Sequence, residues 1–260
     1  MSRSTFALQV GMLARRSVLR TLRQPALVIP SLAFPMLLLA INSGGLGSAT
    51  NLPGFPADSY LEFALAIAFV QGALFSANSA GTNIADDIES GFINRLALTP
   101  LRRLALLGGQ LSGILALGLI QAVTFVVVGV LAGAGIEAGV TGALVIVALS
   151  LVTSLAFGSV GAFVALRTGS GEAVQGVFPL LFAALFLSSM ALPRDLIESD
   201  WFRTVADWNP VSYILEGVRS LVITGWDGEA LALGFACAGG LAAVAIAAAS
   251  SALRTRMVRT

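Results

Sequence analysis

Residues 86–103, DDIESGFINRLALTPLRR, gather Asp86, Asp87, Glu89, Arg95, Arg102 and Arg103 in a chain of which only 11% is charged. Carboxylates at this spacing could ligate a hard cation, which wants about six or more oxygens. No second acidic cluster stands by to complete such a set, so metal–carboxylate chemistry on Asp86, Asp87 and Glu89 has little to build on. Other chemistries fail on residue type. Histidine is absent and Cys237 is the single cysteine, which excludes a His/Cys metal centre, an intrachain disulfide and a His-assisted nucleophile. All fifteen basic residues are arginine; without lysine there is no phosphate-binding loop of the G-x-x-x-x-G-K-[ST] kind. The expectation is a protein that is no enzyme by itself, with no metal and no cofactor in its own chain. The segment also carries Phe92, Ile93, Leu96 and Leu98 at helical spacing, too polar to enter a bilayer and too apolar for a solvated linker.

The elements that must hold this segment are membrane spans. Hydrophobic residues make up 57% of 260 positions and mean hydropathy is +0.89, far above the usual range of a soluble domain. A bilayer core takes about 20 apolar residues per helix. Six runs qualify: 25–42, 60–83, 104–133, 139–166, 172–192 and 229–252. Runs such as LGLIQAVTFVVVGVLAG do not alternate as a barrel strand would. The expected fold is an all-α membrane protein, one transmembrane domain over residues 1–260. With six spans both termini share a side. That side collects twelve arginines, among them Arg3, Arg15, Arg16, Arg20, Arg23, Arg95, Arg167, Arg254 and Arg256, whereas Arg194, Arg203 and Arg219 fall opposite. The positive-inside rule then places both termini in the cytoplasm, and Trp201, Trp208 and Trp226 form an outer interfacial belt. Arginine-only usage fits a high-GC bacterial coding bias, and no cleavable signal peptide is apparent. The expected location is the bacterial cytoplasmic membrane.

Three further features stand out. Residues 5–23 read as an amphipathic interfacial helix with Arg16, Arg20 and Arg23 in one stripe, suited to anionic lipid. The spans carry only mild polar groups. Gln71, Asn78 and Thr82 share a face of the second, and Ser150, Thr153 and Ser154 do so in the fourth. Interhelical hydrogen bonding is the plainer reading of both sets, and a substrate path the sharper one. No ionisable residue occupies the middle of a span, which argues against proton coupling. Finally, 193–225 is too apolar for a solvated loop. Asn209 can cap a helix whose first residue is Pro210, Val211, Ile214, Leu215, Val218 and Val222 follow at helical spacing, and Gly225 is a stop. Glu216 and Arg219 stand at i, i+3 and could pair. About fifteen residues cannot span, so this predicts an outer re-entrant helical hairpin before the last span.

Segment 86–103 then reads as a short docking helix in the first cytoplasmic loop. Asp86 and Asp87 suit a helix N-terminus, Gly91 weakens the middle, Thr99-Pro100 ends it, and the apolar positions face a partner. DDIESGFINRLALTPLRRLALLGGQ resembles the coupling-helix region of type-2 ABC export permeases, particularly the daunorubicin-resistance-type subgroup. The shared pattern maps to Asp87, Gly91, Arg95-Leu96, Thr99-Pro100 and Arg102 or Arg103. A second block is similar as well, through Phe178-Pro179, Leu187-Ser188, Pro193, Trp201, Asn209-Pro210, Tyr213, Glu216 and Arg219. The chain departs from the pattern at Asn94, Gly109-Gln110 and Ser112.

That resemblance implies a permease subunit of an ATP-driven exporter. It implies a separate ABC ATP-binding subunit, which would hold the ATP and magnesium and dock on Asp86, Asp87, Glu89, Gly91, Phe92, Arg95, Leu96, Thr99, Pro100 and Arg102. It implies a second copy of this chain, or a related permease, and membrane lipid as further partners, and no nucleic acid. The outer gate would comprise Pro193, Trp201, Asn209, Pro210, Tyr213, Glu216 and Arg219. An uncharged interior suits an amphipathic substrate: a drug, a lipid or a lipid-linked glycan. Two alternatives stay open, an ATP-independent transporter and an intramembrane lipid-modifying enzyme.

Overall fold

The computed structural model describes residues 3–97 and 103–258, and every regular element among them is helical. Helix α1 (Arg3–Leu22) precedes α2 (Pro25–Gly45) and a 3-10 turn, Gly47–Asn51. Then come α3 (Tyr60–Glu89), the short α4 (Phe92–Ala97), α5 (Arg103–Leu131) and α6 (Gly139–Thr168). Helix α7 (Gly171–Phe186) leads through a 3-10 turn at Arg194–Leu196 to α8 (Asp200–Trp208) and α9 (Pro210–Arg219). A π turn (Ser220–Thr224) and α10 (Gly228–Val258) complete the order.

Helix α3 is the axis of the bundle. Its apolar stretch is 83% buried, against 17% for the peripheral α2. Helices α6, α2, α5 and α7 surround it, and α10 packs on α6 and α9. The closest approach is at Gly161 of α6, where a Cβ would collide with the Ala77 carbonyl of α3; only glycine lets the two backbones meet there. Two apolar cores result. One, built around Phe63, Leu65, Leu74, Phe125, Ile146, Leu149 and Leu215, fills the middle and the end that carries the tryptophans. A smaller one, with Ile84, Ile93, Leu106, Leu107, Leu166 and Leu253, lies at the end that carries α1 and most of the arginines. Those are called the tryptophan end and the arginine end below.

Among the described residues five helices, α2, α3, α5, α6 and α10, are long and apolar enough to cross a membrane. The sixth expected run, 172–192, is helical only over Gly171–Phe186. Its 16 residues reach about 24 Å, short of a hydrocarbon core of about 30 Å. The helix stops because the backbone groups after it have partners elsewhere, as described below.

Two further expectations are corrected. The second run does not stop at 83. Ile84 and Ala85 are buried, no breaker intervenes, and α3 continues to Glu89. Asp86 and Asp87 therefore close a helix instead of opening one. The docking segment is also not one helix, since the chain turns at Gly91 (φ +69°), a left-handed conformation that favours glycine, before α4 begins. A helix expected at 5–23 is present as α1, and the two helices expected within 193–225 are α8, with Trp201 and Trp208 exposed on it, and α9.

Candidate functional site: two charged ends of one bundle

At the arginine end the site is built on a misplaced charge. The C-terminus of α3 carries the negative end of the helix dipole, which disfavours carboxylates. Asp87 sits there nonetheless with its side chain 3% exposed. Helix α1 delivers to it two guanidiniums one helical turn apart, Arg16 and Arg20. Arg16 donates to both carboxylate oxygens, at 2.7 and 3.0 Å. Arg20 donates to Asp87 Oδ1 at 2.7 Å, to Asp86 at 2.7 Å and to the Asn83 carbonyl at 3.0 Å. Gln110 of α5 completes the set with its Nε2 at 3.1 Å from Asp87 Oδ2. One buried carboxylate thus joins α1, α3 and α5. The hydrogen bond and charge of Asp87 raise the pKa of Arg16 above its ordinary value against the effect of burial.

The same network reaches α4. The Arg16 guanidinium lies 3.8 Å over the Phe92 ring, a cation–π contact across the Gly91 turn. Ile93 is buried in the bundle's own smaller core. The two apolar residues expected to face a partner are therefore engaged within the chain. Arg95 is exposed, its Nη2 3.3 Å from the Ser90 carbonyl, and Glu89 is exposed beside it. Leu96 is half-buried against the same core. Thr99, Pro100 and Arg102 lie outside the described residues.

The tryptophan end is organised by Arg219, 5% exposed. Its guanidinium donates to three backbone carbonyls, Phe63 at 3.1 Å, Ser189 at 2.6 Å and Met190 at 2.7 Å, and lies 3.5 Å over the Phe63 ring. Burial pushes its pKa down to about 9 against the pull of Glu216 and Tyr60, so it remains charged at neutral pH. Asn209 works on the same segment from the other side. Its Oδ1 accepts from the Val211 amide at 2.9 Å and caps α9, where Pro210 needs no amide partner. Its Nδ2 donates to the Ala184 and Leu187 carbonyls at 2.6 and 3.0 Å and so caps α7. The Ser212 hydroxyl accepts from the Ser189 amide at 3.1 Å. These bonds account for the early end of α7: its terminal carbonyls and the turn after it are satisfied by α9 rather than by another helical turn.

The expected Glu216–Arg219 pair does not form. Glu216 bonds to Arg194 at 2.5 Å and accepts from Ser189 Oγ at 3.3 Å, while Arg219 is committed to carbonyls. Arg194 also meets Asp207 at 3.4 Å and lies 4.5 Å over the Tyr213 ring, whose hydroxyl donates to the Asp207 carbonyl at 2.8 Å. Burial works to lower the Arg194 pKa, and the Glu216 charge and hydrogen bond with Tyr213 outweigh it, leaving the group above its ordinary value. Pro193 and Arg194 border a cavity of about 590 Å³. Trp201 is exposed on α8 and takes no part in the network.

The polar residues of the spans form no comparable site. Ser150 and Thr153 donate to the carbonyls of Ile146 and Leu149 in their own helix, at 2.7 and 2.8 Å. Ser154 packs against Gly118, and Thr82 donates to the Asn78 carbonyl at 2.8 Å. Gln71 Oε1 and Asn78 Oδ1 are buried without a hydrogen-bond partner among the described residues. None of the six lines the large cavity. Among the described residues no group of His, Cys, Asp and Glu is placed to hold a metal ion.

Sequence reasoning passed over Gln110, Ser189, Ser212 and Asp207. Gln110 was visible only as a departure from a pattern; the arginine stripe of α1 was visible, but its acidic partner was not, because the contact spans 71 residues.

Residues 8–223 match the family of ABC-2 type transporters. The chain is also 26% identical over 223 residues to a protein of Porphyra purpurea named as a transport permease, ycf38; the match covers 84% of this chain and 76% of that protein.

Proposed function

The chain belongs to the ABC-2 type transporter family and is a multi-pass transmembrane transport subunit, and on that premise we propose that it is the permease of an ATP-driven exporter. Two copies pair, each on a separate ATP-binding subunit, in a bacterial cytoplasmic membrane with both termini inside. Helix α7 serves as the sixth crossing, its length completed by the non-helical 187–193 segment. The absence of lysine supports an external ATPase, since the chain cannot build a phosphate-binding loop.

The observation that carries this reading is the clamp on Asp87. A displaced α4 cannot move alone: Phe92 is held under Arg16, and Arg16 is held by Asp87 together with Arg20 and Gln110. A push on α4 is therefore delivered at once to α1, α3 and α5. ATP binding drives transport to the extent that the ATPase prefers one position of α4 over the other. The exposed Arg95 and Glu89 supply the dock, and an amphipathic substrate fits spans whose middles carry no ionisable group.

The test uses the chain co-expressed with its ATPase in lipid discs. Gly91→Val or Arg95→Glu is expected to leave membrane insertion and ATPase association measurable while transport per ATP hydrolysed falls. Full coupling in both variants overturns the assignment. Orientation is checked separately by labelling Arg95→Cys and Arg203→Cys in a Cys237→Ala background with a membrane-impermeant thiol reagent. Only the Arg203→Cys variant should react from outside intact cells.

A further inference from the structure

The cavity at the tryptophan end holds about 590 Å³, within the range of about 300–1,000 Å³ typical of small-molecule sites. We propose that it binds the ammonium head of a single-chain amphipathic cation, with the apolar stem leaving past Pro56 and Ile223 toward the bilayer. This rests on the transporter reading only in calling the ligand a substrate; the binding itself does not.

The charge balance of the wall comes first. Four carboxylates, Asp195, Asp207, Glu216 and Asp227, face two guanidiniums, Arg194 and Arg219. Both guanidiniums are already committed. Arg219 is spent on three carbonyls and the Phe63 face, and Arg194 on Glu216, Asp207 and the Tyr213 ring. Neither is available to an incoming anion. Among the carboxylates, Asp227 uses Oδ1 to cap the first turn of α10, at 3.0 and 3.1 Å from the amides of Glu229 and Ala230, and meets no guanidinium among the described residues. Asp195 is exposed and has neither a hydrogen bond nor an ion pair among the described residues. The wall thus carries an excess of two negative charges, and a cation is the ligand that relieves it.

The backbone of the wall points to a binding role as well. Ser220, Ile223 and Thr224 belong to the π turn after α9, an irregularity that recurs at functional sites because it moves side chains off the regular helical register. Here it brings Ser220, Ile223 and Thr224 to one wall. The exposed Trp201, Trp208 and Trp226 belong to the same end, the level at which aromatic belts meet lipid head groups. An amphiphile with its stem in the bilayer would present its head at this depth. A phospholipid amine fits less well, because its phosphate would find no free guanidinium.

The experiment measures equilibrium binding of a fluorescent dodecyl-ammonium probe to the full chain in phosphatidylcholine discs, with empty discs subtracted and no ATP present. The comparison is an otherwise identical probe with a hydroxyl head. Asp195→Asn combined with Asp227→Asn keeps side-chain volume and the α10 cap while removing both excess charges. It should weaken the ammonium probe about tenfold and leave the hydroxyl probe unchanged, as expected for a charge-specific contact. Equal affinity of the wild-type chain for the two heads overturns the proposal, and so does tighter binding of a sulfonate-headed probe. Loss of binding when phosphatidylethanolamine enters the discs reassigns the cavity to lipid. Because no ATPase takes part, a failed transport assay and a failed binding assay remain separate results.

Discussion

Both ends of the bundle bury one charge, and they stabilise it by opposite means. At the arginine end a carboxylate, Asp87, is held by side chains from two other helices. At the tryptophan end a guanidinium, Arg219, is held by backbone carbonyls of α3 and of the turn after α7. Side-chain partners can exchange or lengthen while each helix stays intact, so the first arrangement can yield without unmaking a helix. Carbonyl partners are part of the chain path itself, and releasing them would unmake the turn at Ser189–Met190. The second arrangement is a rivet.

The largest effect separating the two belongs to Arg219. Arg219→Leu leaves three buried carbonyls without a donor, each costing on the order of 1–3 kcal/mol, and is expected to abolish a stable protein in detergent, read as loss of a monodisperse chromatographic peak. Arg219→Lys keeps the charge but not the fork, so it should rescue folding only in part. If both variants behave as wild type, the turn does not depend on the rivet.

Asp87→Asn comes next. It keeps the shape and removes the charge that two arginines share, for a loss of about 1–3 kcal/mol by thermal unfolding. A double-mutant cycle with Arg20→Ala should return a coupling of about 0.5–3 kcal/mol. A coupling near zero would mean that the two helices meet by packing alone. The smallest effect is expected from Arg194→Gln. Its partners Glu216 and Asp207 are both partly exposed, so the pair should contribute about 1 kcal/mol or less and weaken as salt rises.

Helix α4 marks the limit of legibility. Phe92 and Ile93 look like a docking face because their apolarity on a charged loop has no local explanation. The structure supplies a distant one, Arg16 on one side and Leu166 with Leu253 on the other. The α7 boundary was hidden for a related reason. Residues 187–192 are apolar enough to extend a helix, and what stops them is Asn209, Ser212 and Arg219, 22 to 30 positions away along the chain. The α9 boundaries were readable because cap, proline and stop act locally: Asn209 caps it, and Gly225 follows the π turn that extends it.

Composition and periodicity by themselves determined that the chain is a helical membrane protein with no lysine for a G-x-x-x-x-G-K-[ST] loop and no histidine. They also marked out α1, the segment around Gly91 and the helix after Asn209. Those follow from the cost of exposing backbone to hydrocarbon and from local capping, both of which are written in consecutive residues. Tertiary structure alone decided which charges meet. The Asp87 clamp, the commitment of Arg219 to carbonyls rather than to Glu216, and the charge excess of the cavity at the tryptophan end all depend on helices that approach across 22 to 156 positions. Electrostatic partners are chosen by distance in space, and only packing sets that distance.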